Sequence, residues 1–259
     1  MKLFVRQIAF LLLFILSLVY CLAASASPQK DKDKEKEKEH EGQQIDSGSF
    51  GVFMGGRRVG TETFSIYQNQ NGSTIKSEFK TENDPNQAVQ DSVLQLTSSG
   101  ELRRYEWKEV SPGKGQSVVV PNDQFLSQKW SSGPQDKDHD QPYLLSPLTS
   151  ILDDYFFIHR EVLVWRFLST ACSKLSTGQI QCPIKQRTQF GTLDPRQHAS
   201  SPLSAEFLGR EKINFKGNLQ EFNKVEFRTE VGNWQLWLDD QFKVMRMLID
   251  TDNTEVVRD

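Results

Sequence analysis

The chain has 259 residues, 37% hydrophobic and 25% charged, which is enough apolar material for one sizeable core. Its formal net charge of −3 argues against nucleic acid as a partner, which would favour a basic face. Three cysteines in so long a chain exclude a densely cross-linked scaffold.

The N-terminus reads as a targeting segment. Lys2 and Arg6 form a positive region, residues 8–22 form an apolar run broken only by Ser17, and Ala24-Ser25-Ala26 is a small-x-small cleavage site. Residues 1–26 are therefore expected to be a removed signal peptide. The alternative is an uncleaved anchor, because the run approaches membrane-spanning length. Tyr20, bulky and directly before Cys21, speaks against a lipoprotein site. Either way the rest of the chain is expected outside the cytoplasm, in the periplasm or secreted, with no transmembrane domain after cleavage.

Residues 27–46 read as a charged, disordered linker. From Lys30 to Glu41 lysine alternates with Asp or Glu, with His40 near the end and no apolar residue to offset the entropy of ordering. The folded domain is expected over residues 47–259. Residues 50–54 form a strand, Gly55-Gly56 is a hairpin turn, and residues 58–67 return with Glu62, Phe64 and Ile66 on one face. Turn signals at Asn71-Gly72, Asp84-Pro85, Ser99-Gly100 and Pro112-Gly113 separate further short strands up to Trp130, an antiparallel meander. Residues 131–141 read as a loop. Its acids from Asp136 to Asp140 suggest a calcium loop, but that motif needs glycine and glutamate where this chain has Gln141 and Pro147.

Next comes the longest helical pattern. Ser146 suits an N-cap and Pro147 a first helical position. Leu148, Ile151, Leu152, Tyr155, Phe156, His159, Val162 and Leu163 then recur near the 3.6 period, which predicts a helix over 147–168. Phe157, Ile158, Val164, Trp165 and Phe167 make its other faces apolar too, so it should be surrounded.

Beyond it, Cys172 and Cys182 are the cysteines that survive signal removal. In an oxidising compartment a disulfide is the simplest outcome; a metal site lacks nearby ligands, and redox activity favours closer spacing. Two strands are expected around Gly209, and turns at Gly217-Asn218, Gly232-Asn233, Asp239-Asp240 and Asp252-Asn253 mark a second meander. Within it Trp234, Leu236 and Leu238 should face one way, leaving Trp237 on the solvent face or at a partner surface. Strands, one long helix and strands again give an α+β fold. The expected arrangement is a curled antiparallel sheet, an incomplete barrel, wrapped around one long central helix.

Catalytic motifs are absent: there is no G-x-S-x-G elbow, no H-E-x-x-H and no glycine-rich phosphate loop before a helix. No enzyme activity, cofactor or metal site is expected. His159 reads as a hydrogen-bonded core histidine, or else as part of a pocket with Asp153 and Asp154. A solvated gap in the apolar surface is the simpler account of the two acids.

Three stretches carry a family likeness: residues 55–62, with Val59-Gly60-Thr61-Glu62 after a glycine-rich turn; residues 151–167; and the closing segments 237–240 and 255–258. In these the chain resembles a group of uncharacterised exported bacterial domains, over about residues 48–259. The resemblance implies a half-barrel clasping a helix, similar to the lipoprotein-carrier clam of the bacterial envelope, and supplies no catalytic residues. That fold analogy is not itself evidence of lipid binding; two functions are expected, the first from the surplus of Phe, Trp and Leu on a small domain. One is a non-enzymatic binding module holding an acyl chain or another lipid or apolar small molecule in a groove lined by Tyr155, Phe156, His159, Val162 and Trp165. The other is a structural or interaction protein with a filled core and an envelope protein as partner.

Overall fold

The computed structural model describes residues 42–82, 87–144, 149–176 and 180–259. The chain divides into two units, Met1–Gly42 and Gln43–Asp259. The signal segment and the linker up to residue 41 lie outside the described residues.

Seven hairpin-linked strands open the second unit: β1 (Gln43–Met54), β2 (Arg57–Asn69), β3 (Gly72–Thr81), β4 (Val89–Thr97), β5 (Leu102–Ser111), β6 (Gln116–Asn122) and β7 (Phe125–Ser131). The edge strand β8 (His139–Leu144) and the two-residue β9 (Ser150–Ile151) come next. The helix α1 (Ile158–Ala171) leads to a small ribbon, β10 (Ser173–Lys174) with β11 (Ile180–Gln181). A second meander closes the chain: β12 (Arg187–Asp194), β13 (Ala199–Phe215), β14 (Asn218–Thr229), β15 (Gly232–Leu238), β16 (Val244–Ile249) and β17 (Thr254–Arg258).

Period-two alternation places these strands. In β2, Gly60, Glu62, Phe64 and Ile66 are buried while their neighbours are not, and β3 does the same with Ile75, Ser77 and Phe79. Gly55 and Gly56 both take positive φ, 57° and 77°, as the tight β1–β2 turn requires. The two segments expected on either side of Gly209 are one strand, β13, with a register shift between Phe207 and Gly209 against β14. β1 also starts earlier than residue 50, because Asp46 is buried against Arg258.

The sheet corrects the expected barrel. Fifteen strands hydrogen-bond in the order β8-β7-β6-β5-β4-β3-β2-β1-β17-β16-β15-β14-β13-β12-β9. The ladder is open, with β8 and β9 as its two edges. It is mostly antiparallel and mixed in one place, since β9 pairs parallel to β12. The two meanders are joined through β1 and β17, where Phe50 pairs with Arg258 and Val52 with Val256. A curled half-barrel was the expected way to bury a helix that is apolar all round. Instead one open sheet packs against the helix.

The helix is also shorter than predicted, running 158–171 rather than 147–168. Ser146 and Pro147 lie outside the described residues, Ser150–Ile151 is strand, and helix starts only at Ile158. The reason is a distant cap. Glu62 of β2 accepts hydrogen bonds from the backbone N–H of Phe157 (2.7 Å) and of Ile158 (3.3 Å), satisfying donors that open every helix. Apolar periodicity ran on through residues 149–157 because those side chains enter the same core from irregular backbone: Ile151, Phe156 and Phe157 are all buried.

Cys172 and Cys182 form a disulfide at the foot of the helix. Replacing both cysteines with serine is expected to lower the unfolding free energy by roughly 2–3 kcal/mol for so short a loop. Urea midpoints read the loss, and an unchanged midpoint would show that the cross-link does not restrict the unfolded chain.

Trp237 departs from its expected exposure. It is 4% exposed on the outer face, packed with Phe215 and Phe222. Its Nε1 donates to Glu211 at 2.7 Å, and Lys224 and Arg246 sit over its ring. The long β13–β14 hairpin carries the residues that cover it, so no partner is needed to shield the indole.

Candidate functional site

The helix is held by charged groups reached from distant strands. At its start Glu62 also accepts from the Ser77 hydroxyl at 2.6 Å, and burial pushes its carboxyl up to about 8 despite these donors. Still within the first turn, Glu161 accepts from the Val244 N–H at 2.7 Å and from Arg258 at 2.7 Å. Burial pushes Glu161 up to about 8 as well. Arg258 donates in addition to Asp46 (3.0 Å) and to the Val244 carbonyl (2.8 Å). Burial pulls the other way, but hydrogen bonds from Arg258 and Lys243 hold the Asp46 carboxyl below its ordinary range. None of Glu62, Asp46 or Arg258 was legible as a helix partner. One signal was present: Glu62 is a charge in the inward row of an alternating strand.

Asp153 and Asp154 behave differently from the expected solvated gap. Asp153 is fully buried, accepting from the Tyr105 hydroxyl (2.7 Å), from Arg196 (2.6 Å) and from the Tyr155 N–H (2.9 Å). The Arg196 guanidinium lies over the rings of Trp107 and Tyr155, 4.1 and 4.4 Å from their centres. Asp154 is exposed, 3.7 Å from the buried Arg160, whose guanidinium stacks 3.9 Å above Trp234. Asp194, beside them, is pushed up to about 7 by burial and by the neighbouring Asp154 and Asp153. No group of three or more His, Cys, Asp or Glu is placed to hold a metal ion among the described residues.

His159 is the second residue of the helix and is 1% exposed. Tyr105 meets it edge-on, with ring centres 5.5 Å apart, and Phe156 lies at 5.8 Å. It is not the hydrogen-bonded core histidine expected: neither ring nitrogen has a partner among the described residues. Burial pulls its pKa down to about 3, outweighing the attraction of Asp153, so the imidazole is neutral at ordinary pH.

The five residues expected to line one groove are divided by the structure. His159, Val162 and Trp165 line a cavity of about 230 Å³ between α1 and strands β2–β5. Ile66, Ile75, Leu94 and Leu163 form its apolar wall, and Gln68, Ser73, Ser98 and Ser99 contribute polar groups. Trp165 is fixed there by an Nε1 hydrogen bond to the Phe242 carbonyl at 2.8 Å. Tyr155 lines a different cavity, of about 690 Å³, with Phe79, Phe157, Arg160, Asp194 and Trp234. Phe156 is fully buried and lines neither.

No protein-family model matches the sequence, and no curated protein does. A crystal structure of a DUF1089 family protein from Pseudomonas aeruginosa is similar to this chain at 11% identity, covering 71% of this chain and 87% of that one with a TM-score of 0.41. So distant a likeness, to a protein of an uncharacterised family, carries no argument about what this chain binds or does. No helix among the described residues is long and apolar enough to cross a membrane.

Proposed function

We propose that this protein is an exported, non-enzymatic binding module that holds a small apolar ligand in the 230 Å³ cavity beside α1. The observation that carries the reading is that cavity, with an apolar wall and polar groups at its margin. Its volume is about half as large again as the roughly 150 Å³ cavity known to take benzene, so a single ring or a short acyl segment fits. A purely structural protein with a filled core would have no use for such a space. Export rests on the N-terminal pattern of residues 1–26 alone.

Val162→Phe tests the site. The side chain is half-buried, lines the cavity and makes no hydrogen bond of its own, so a phenyl ring there should occupy ligand space. Native mass spectrometry of the full chain purified from its own host is expected to show an added small-molecule mass that V162F lacks. Protein without any added mass, or a mass retained by V162F, would overturn the proposal.

A further inference from the structure

The larger cavity, of about 690 Å³ beside the start of α1, combines an apolar wall with negative charge that the protein leaves uncompensated. Phe79, Phe157 and Ile249 form the wall, and the exposed Met54 and Val231 extend it to the surface. Three acids line the cavity, Asp154, Asp194 and Asp252, against a single base among the described residues, Arg160. That base is already engaged. It donates to the Asp153 carbonyl (2.9 Å), stacks on Trp234 and stays 3.7 Å from Asp154, beyond hydrogen-bond reach. Asp153, next to them, is neutralised by Arg196 at 2.6 Å. One oxygen of Asp194 accepts from the N–H groups of Arg196 (2.8 Å) and Gln197 (3.2 Å); among the described residues the other has no partner and is open to water. The Asp154 side chain is 53% exposed, so its carboxylate is open too.

A neutral guest would leave that charge as it is, and an anion would add to it. No third ligand joins these carboxylates to hold a metal ion among the described residues, and a bare cation would leave the apolar wall in water. A primary ammonium brings a positive charge and three N–H donors for the free oxygens of Asp154 and Asp194. A hydrocarbon part attached to it would cover the wall. We infer that this cavity binds an amphipathic amine, its ammonium on Asp154 and Asp194 and its hydrocarbon part against Phe79, Phe157 and Ile249. The volume lies within the range of about 300–1,000 Å³ usual for small-molecule sites. The site shares no lining residue with the 230 Å³ cavity and does not rest on the reading above.

Octylamine, octanol and octanoate share one chain and differ in charge, and each can be titrated calorimetrically into the full, disulfide-bonded protein. At pH 8 octylamine is expected to bind about tenfold or more tightly than octanol, the worth of one charge-assisted hydrogen bond, and octanoate to bind weakest. Asparagine at both positions keeps an oxygen to accept from the Arg196 and Gln197 N–H groups but removes the charges. In Asp154→Asn with Asp194→Asn, octylamine should therefore fall to the affinity of octanol. A second readout needs no substitution. Asp194 is faced by Asp153 and Asp154 from the segment before α1 and by Arg160 from α1, and it holds its proton to about 7. An ammonium favours its ionised form, so octylamine should bind about tenfold more weakly at pH 6 than at pH 8, while octanol should not change. Octanol binding as tightly as octylamine would overturn the inference, as would octanoate binding tightest or octylamine binding equally well to the double variant. Failure of all three probes to bind would overturn it too, and would leave the smaller cavity untouched. Should the double variant not fold, the pH series decides, and an octylamine affinity that is the same at pH 6 and 8 overturns the inference.

Discussion

Arg258→Ala is expected to lower the unfolding free energy by about 3–5 kcal/mol, the range for removing one member of a buried ion network. Arg258 reaches two carboxylates from different parts of the chain, Glu161 on the helix and Asp46 on β1, and its Nε closes a bond to the Val244 carbonyl. It also packs over Phe50 and Phe64, 5.3 and 5.0 Å from their ring centres. Alanine removes the charge and the packing together, and leaves the fully buried Glu161 dependent on the Val244 N–H. A domain with an ordinary margin of about 5–15 kcal/mol would lose much of it. Urea denaturation measures the loss, and a drop below about 1 kcal/mol would mean that the triad does not hold helix to sheet. Adding Asp46→Asn to R258A should recover part of the stability, because the buried Asp46 charge would otherwise be left to Lys243 alone, while Glu161, pushed up to about 8, carries no charge at neutral pH.

The second large effect is a pH dependence carried by Glu62. In the unfolded chain its carboxyl loses its proton near the ordinary value of 4.5; in the folded protein it holds the proton to about 8. Between those values the folded state binds more protons than the unfolded state, so stability falls as pH rises, at about 1.4 kcal/mol per pH unit for this one group. Glu62→Gln keeps an oxygen to accept from Phe157 and Ile158 but does not ionise. The stability of E62Q relative to the unsubstituted protein is therefore expected to climb steadily from pH 4.5 to about 8. Unfolding midpoints at about pH 5, 6.5 and 8 check this, and a constant difference across the three would show that Glu62 titrates alike folded and unfolded. His159 acts with the opposite sign on the acid side. Its pKa is lowered on folding, so the stability it contributes is lost as pH falls from 6.5 towards 3.

Why a strand residue should govern the helix in this way bears on how far the sequence could be read. The meander of β1–β7 and the closing strands came from alternation and turn residues, which are local: Gly55-Gly56 and Asn71-Gly72 mark turns whatever surrounds them. The disulfide was legible because compartment and cysteine count left few alternatives. The helix length was not, since Ile151, Phe156 and Phe157 are apolar for the sake of the core and repeat at helical spacing without being helical. Its true start depends on Glu62, 95 residues away, which no local pattern encodes.

The candidate site divides the same way. The 3.6 period placed His159 and Val162 on one helical face and Trp165 on another, yet all three line one cavity. Whether His159 found a hydrogen bond depended on Tyr105 turning its hydroxyl to Asp153, and on Arg196 lying across Trp107 and Tyr155. The open order of the ladder, with β17 beside β1, was likewise settled by long-range pairing. By itself the sequence determined strand phase, turn positions, the cysteine pair and the helical face, because each depends on residues within a few positions of one another. The tertiary structure alone decided where the helix begins, how the sheet is ordered and which buried polar groups stay unpaired. Those outcomes depend on which distant donors and acceptors meet once water has been excluded.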